Sequence, residues 1–233
     1  MTMHTEHRKR MRERFLKEGL DNFNDINALE LLLFYCIARK DTNPLAHELI
    51  SRFGSVAGVL DAKREDLLKV PGVGESVTTY FSLLRDAIRY YQIQQANNCK
   101  ILRSLKECGD YMLMHFVGRD VETVYMLCLD AKCKVICCRM IGEGSINSAN
   151  ISILKIVETA INVNATTVVL AHNHPSGLAI PSADDVRTTQ RIAEALEMVD
   201  VTLMDHFVVA GDDYVSIGQS NLFKSPKQQN CTE

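Results

Sequence analysis

The stretch His172-Asn173-His174-Pro175-Ser176-Gly177, continued by Pro181-Ser182-Ala183-Asp184-Asp185, constrains this chain more than any other. The apolar run Thr167-Val168-Val169-Leu170-Ala171 before it reads as a buried strand. Residues two apart on a strand point to the same face, so His172 and His174 present two imidazoles side by side. Pro175, Gly177 and Pro181 then force a turn. Ser182 has the character of a helix N-cap, which puts Asp185 in the first helical turn, able to swing back toward the histidines. Two nitrogens and one oxygen, with a fourth position left for water, is the pattern of a catalytic zinc site rather than a closed structural one. A metal-free loop is the plain alternative.

At 233 residues the chain has room for one large domain or two small ones, and its 46% apolar residues supply a sizeable core. A net charge of −3 gives no global attraction to nucleic acid or membrane, so binding of either must come from a local patch. No apolar run has the length needed to cross a bilayer. The basic N-terminus, with Arg8, Lys9, Arg10, Arg12 and Arg14, lacks the apolar stretch of a signal peptide. The expectation is a cytoplasmic protein without membrane contact. The eight cysteines suit that compartment as reduced thiols. Cys36 and Cys128 lie in apolar runs, and Cys133, Cys137 and Cys138 match no zinc-knuckle spacing. Cys137 and Cys138, being neighbours on a strand, point to opposite faces.

The apolar periodicity divides the chain. Residues 1–96 read as all-helical, with a helix over 25–38 capped by Asp25 and another over 43–53 closed by Gly54. Short helical segments follow at 56–60 and 65–70, then a long helix to about residue 95. Residues 97–103 read as a linker. Beyond it come a helix over 104–116, strands over 122–130 and 133–140 joined by an Asp130-Ala131-Lys132 turn, and a helix over 152–162. The strand over 167–171, a helix over 183–199 and short strands at 202–204, 206–209 and 214–217 complete the pattern. The expected division is a helical domain over 1–96, a mixed domain over 104–223 and a disordered polar tail over 224–233, an α+β class. His47 and His115 read as surface or capping residues, and Asp184 as solvated.

Leu68-Lys69-Val70-Pro71-Gly72-Val73-Gly74, between two helices, resembles the helix-hairpin-helix motif. Pro71 stiffens the turn, and Gly72 and Gly74 bring backbone amides to a helix N-terminus where they can hold a phosphate. The resemblance implies weak, salt-dependent contact with the DNA backbone, without reading of sequence. The same residues also suit a tight connector between packed helices. Glu75 beside the glycines repels phosphate, partly offset by Lys69 and the basic N-terminus.

From about residue 8 to 222 the chain resembles the RadC family, a helical domain with a helix-hairpin-helix followed by a JAMM (MPN-type, cytidine-deaminase-like) domain. The resemblance is carried by Gly54-Ser55, Val70-Pro71-Gly72-Val73-Gly74 and Leu127-Cys128-Leu129-Asp130-Ala131-Lys132. It continues through Gly144-Ser145-Ile146-Asn147-Ser148, the stretch 171–177 with Pro181, Ser182 and Asp185, then Asp205-His206 and Tyr214-Val215-Ser216. It implies a mixed α/β fold around a central sheet and a Zn2+ ion held by His172, His174 and Asp185. It gives Ser182 the role of steadying a water or an oxyanion. JAMM enzymes are metallopeptidases, often of isopeptide bonds, so a peptide or isopeptide is the implied substrate. RadC members are usually named as DNA-repair proteins, which neither fold nor motif demonstrates.

The general base departs from the family pattern. JAMM enzymes use an upstream glutamate, which RadC-type sequences carry in a Pro-Arg-Glu run at the start of the helix before the histidines. A gapless alignment from Gly144 through His174 puts Ile153, Leu154 and Lys155 at those positions, so a cation stands where the base belongs. Glu158, one helical turn on, and Glu143, in the preceding loop, are the candidate substitutes; a neutral Lys155 is a third. Two functions follow. One is a zinc-dependent JAMM-type hydrolase. The other is a weakly active or inactive metal- and DNA-binding accessory module. His206 reads as a structural histidine, within the sheet or behind the metal ligands, in preference to a ligand, since three ligands already fill the site.

Overall fold

The computed structural model describes residues 3–38, 40–96, 101–144, 152–175 and 177–220. The expected tail over 224–233, residues 97–100 of the expected linker and the 145–148 motif lie outside the described residues. The chain forms two compact units, Met1–Ile88 and Arg89–Glu233, so the division falls inside a helix rather than after it.

The first unit is helical: α1 (Met3–Glu18), α2 (Asp25–Leu33), α3 (Asn43–Phe53), α4 (Val56–Asp61), α5 (Arg64–Leu67) and the start of α6 (Glu75–Ala96). Leu29, Leu33, Leu49, Val59 and Phe81 are among the side chains of its core. The cap of α2 is Asn24, whose side chain accepts the Asn27 amide at 2.8 Å, and not Asp25. That helix also stops at Leu33, short of the expected 38, because Arg8 takes the carbonyls beyond it. The guanidinium donates to Ile37 O at 2.8 Å and to Lys40 O at 2.6 Å. Gly54 closes α3 at φ +86°, as its place in the sequence predicts. The Pro71–Gly74 segment joins α5, which is about one turn long, to α6. Gly72 there adopts φ +94°, a conformation that favours glycine.

The second unit holds α7 (Leu105–Leu113), a 3-10 turn (Met114–Phe116), β1 (Thr123–Leu129), β2 (Val135–Glu143), α8 (Ile153–Asn162), β3 (Thr167–Asn173), α9 (Ala183–Glu197), β4 (Thr202–Ala210) and β5 (Asp213–Ser216). Sheet order is β2-β1-β3-β4-β5, antiparallel except for β3 and β4. That parallel pair is bridged by α9, as a parallel connection requires. β1 and β3 are buried on both faces, which explains their unbroken apolar runs. Val124, Met126, Val168 and Leu170 pack with α8 and α9, whereas Tyr125, Leu127, Val169 and Ala171 pack with α7. Cys137 and Cys138 divide between the same two layers.

Two expectations change. The strands expected at 202–204 and 206–209 are one strand, β4, with an irregularity at Met204 where the pairing steps from Val168↔Leu203 to Val169↔Asp205. The last expected linker residues belong to the sheet unit: Leu102 is buried and its amide donates to Cys133 O at 2.9 Å. Among the described residues no helix is long and apolar enough to cross a membrane.

Candidate metal centre

The site forms where β3 runs out into the loop before α9. His172 is fully buried and His174 half-buried. Their Nε2 atoms lie 3.1 Å apart. Two nitrogens held at about 2.0–2.1 Å by a tetrahedral zinc ion would be roughly 3.3 Å apart. Asp185 reaches both rings, with Oδ1 3.4 Å from His172 Nε2 and Oδ2 3.7 Å from His174 Nε2. A capping box fixes it there. Ser182 Oγ accepts the Asp185 amide at 3.1 Å, while Asp185 Oδ2 accepts Ser182 N at 2.7 Å and Ser182 Oγ at 2.6 Å. The structure thus brings together the three residues that the sequence singles out as ligands. It also gives Ser182 a definite task, since its one hydroxyl proton lies on Asp185.

The groups behind the rings decide which nitrogens face the site. His174 Nδ1 lies 3.1 Å from the Leu178 carbonyl, which only accepts, so Nδ1 carries the proton and Nε2 keeps its lone pair. Behind His172, Nδ1 is 2.8 Å from His206 Nε2, and His206 Nδ1 is 2.6 Å from Thr189 Oγ1. Thr189 Oγ1 is in turn 2.6 Å from the Asp185 carbonyl. Donation in that order leaves a second lone pair on His172 Nε2. Burial, with His206 beside it, holds the His172 imidazole well below its usual pKa, and burial pushes His206 down to about 3. His172 is therefore neutral at pH 7, the form that binds a metal. Two ring nitrogens and a carboxylate converging at 3.1–3.7 Å from one another form a donor set that suits zinc.

The glutamate beside the histidines is Glu122. A carboxylate oxygen of Glu122 and a ring nitrogen of each of His172 and His174 all lie within 4.8 Å of one another. Strand register puts it there. Val124 of β1 pairs with His172 of β3, and continuing that antiparallel register by two residues brings Glu122 level with His174 on the same face. Neither substitute proposed from the sequence occupies that place. Glu143 lies 3.8 Å from Arg119, and Glu158 is exposed on α8. Lys155 is no substitute for a base either: its ammonium donates to the Ile141 carbonyl and ties α8 to β2. The carboxylate nearest the two imidazoles therefore comes not from that alignment position but from the residue just before β1. Glu122 opens the strand expected at 122–130, so the signal that would have found it is the pairing of that strand with 167–171, which periodicity within one segment does not reveal.

Other residues are also placed. Asp184 is ion-paired with Arg187. His115 is buried, not at the surface, because the 3-10 turn folds it between Tyr111 and Tyr125, with ring centroids at 5.4 and 5.1 Å.

A mixed sheet that carries His-x-His at the end of one strand and an aspartate in the cap of the next helix defines a JAB-type α/β domain. Comparison with known families agrees: a model described as the RadC-like JAB domain matches residues 102–222, and one described as UPF0758 N-terminal matches residues 3–79. The chain belongs to the RadC-like UPF0758 family. A UPF0758 protein of Fusobacterium nucleatum subsp. nucleatum is 31% identical over 223 residues, 93% of this chain and 96% of its own length. One of Ruegeria pomeroyi is 34% identical over 204 residues, 88% of this chain and 91% of its own. Another, of Paraburkholderia phytofirmans, is 31% identical over 209 residues, 90% and 81% of the two chains.

Proposed function

We propose that this protein is a zinc-dependent hydrolase of JAMM type, cytoplasmic, acting on a peptide or isopeptide bond. The observation that carries the reading is Glu122 beside the two imidazole nitrogens. His172, His174 and Asp185 are the ligands in this reading. A zinc ion held by them supplies a Lewis acid for the scissile carbonyl and acidifies water. Glu122 takes the proton of the attacking water and delivers it to the leaving nitrogen, the exchange expected of a general base and acid. Ser182 fixes Asp185 through its hydroxyl; steadying an oxyanion would require it to turn that same proton toward the substrate. The test is a peptide and isopeptide library turned over at full zinc occupancy. Glu122→Gln should keep the zinc and lose turnover by roughly 10²–10⁴-fold. A wild-type protein that holds zinc and cleaves nothing would instead favour the accessory module.

A DNA contact is a second reading, and one observation favours it. A Cβ added at Gly74 meets nothing within 4 Å, and one at Gly72 meets only Leu45 methyls at 3.7 and 3.8 Å. The backbone before α6 is therefore open to a phosphate, without sequence preference.

A further inference from the structure

We infer that Asn173, the residue between the two histidines, is a positioning residue that holds Glu122 against the metal centre. The inference rests on the reading of Glu122 as the proton-transferring group. Strand alternation sends the Asn173 side chain to the face opposite His172 and His174, where it is buried. There it makes three hydrogen bonds, all to the segment that carries Glu122. Its Oδ1 accepts the Thr123 amide at 2.7 Å, and its Nδ2 donates to Arg119 O at 3.3 Å and Val121 O at 3.2 Å. The partners leave no choice in the orientation of the amide, since an N–H only donates and carbonyls only accept.

The placement of these bonds matters. The paired residues of β1 and β3 end at Val124↔His172. Asn173 extends the connection one residue further by using its side chain in place of a backbone partner. Two of the three residues it grips, Val121 and Thr123, flank Glu122 on either side. Glu122's own carbonyl is held from the other direction by the Gly144 amide at 2.7 Å. One side chain thus joins the backbone that presents the metal ligands to the backbone that presents the proton carrier. A reacting group must be held within about 0.5 Å of its working position, and on the β3 side no backbone pairing reaches past Val124 to do that.

Only a short amide fits. Asparagine offers one acceptor and two donors at this reach. Aspartate keeps the acceptor but turns two anionic lone pairs toward the carbonyls of Arg119 and Val121. Serine keeps the volume small and reaches neither side. These two variants therefore release the segment to different degrees without touching a ligand or Glu122.

The experiment uses the full chain loaded with cobalt(II), with glutamate side chains labelled for NMR. Wild type should show Glu122 with a paramagnetic shift characteristic of a group near the ion. In Asn173→Ser and Asn173→Asp, cobalt affinity should stay within about threefold, because all ligands remain. The Glu122 shift should collapse, and the Thr123 amide should exchange about tenfold faster or more, reflecting loss of a buried hydrogen bond. The His174 amide, bonded to Val209 O at 2.8 Å, is the internal control for an intact sheet. A variant with that control protected and the Glu122 shift unchanged overturns the inference while leaving the metal reading intact. A wild type that takes up no cobalt overturns the metal reading, and the inference with it. If serine unfolds the sheet, the isosteric aspartate variant decides between these outcomes.

Discussion

The two faces of the central sheet both bury histidine, and they use it differently. On the α8 and α9 face, His172, His174 and His206 have their ring nitrogens within reach of other polar atoms, and two Nε2 atoms converge with carboxylates. On the α7 face, His115 is packed between tyrosine rings and its Nε2 has no hydrogen-bond partner among the described residues. Both faces lower imidazole pKa by burial, His206 to about 3 and His115 to about 4. Burial alone therefore does not mark a site. Convergence of lone pairs and carboxylates does.

The largest effect expected from that contrast is on metal uptake. His172→Ala together with His174→Ala should abolish zinc binding, whereas His115→Phe should leave it unchanged, read as zinc per chain after dialysis. Full zinc in the double variant would dissolve the distinction between the faces.

The next effect lies within the metal-bearing face. Glu122→Gln removes the carboxylate beside the rings and should cost roughly 10²–10⁴-fold in turnover with zinc retained. Lys155→Glu should not raise activity, because the lysine it replaces is engaged with Ile141 O. It should lower stability by about 0.5–1.5 kcal/mol, the usual net worth of one hydrogen bond, read as a shift in urea midpoint. A gain of turnover in Lys155→Glu would return the base to the alignment position.

A smaller effect belongs to the α7 face and is set by pH. His115 is held down to about 4 by burial first, then by the positive charges of Arg89 and Arg119. In the unfolded chain a histidine titrates near 6.5. Between those values the unfolded state binds a proton that the folded state refuses, so stability falls as pH drops from about 6.5 to 4 and this contribution changes no further below. The loss is at most about 3 kcal/mol. His115→Phe should flatten that part of the urea midpoint against pH curve, and equal slopes in the two proteins would show that His115 is not the group responsible.

Much of the site was legible because it lies within one local run. His172, His174, Ser182 and Asp185 fall on a strand, a turn and a cap whose signals are all short-range. Glu122 and Asn173 were not legible as partners, because what joins them is the pairing of β1 with β3, some 50 residues apart in sequence. The sequence pattern shows β4 as two strands because Met204 breaks the alternation at an irregularity in the pairing. The end of α2 is hidden from the sequence pattern for a similar reason. The carbonyls of the segment after it are taken by Arg8, which lies on α1. Local propensity places elements; contacts between them decide where they end and what they face.

The smallest expected effect tests the same criterion on the Pro71–Gly74 turn, where backbone amides rather than side chains would have to supply the site. Positive charge around the turn is largely committed. Lys69 is paired with Asp66 at 2.7 Å, Arg64 is paired with Glu75, and Arg8 is bonded to the carbonyls after α2. Arg12 stacks over Phe34 and Tyr35. A cleft of about 600 Å³ beside the turn is lined by Asp41, Glu48 and Glu75 against one cation, Lys40, a balance that opposes an anion. DNA held there should engage about one or two phosphates, giving a log–log salt slope near −1 to −2 rather than the steep slope of a basic protein. Gly74→Val is the informative variant, because Gly72 at φ +94° would add backbone strain of its own. It should weaken binding a few-fold at low salt with an unchanged urea midpoint, by blocking approach to the amides at the start of α6. Wild-type affinity that survives Gly74→Val would move any DNA contact away from the turn. A steep salt slope would mean that exposed lysines and arginines, not glycine amides, carry it.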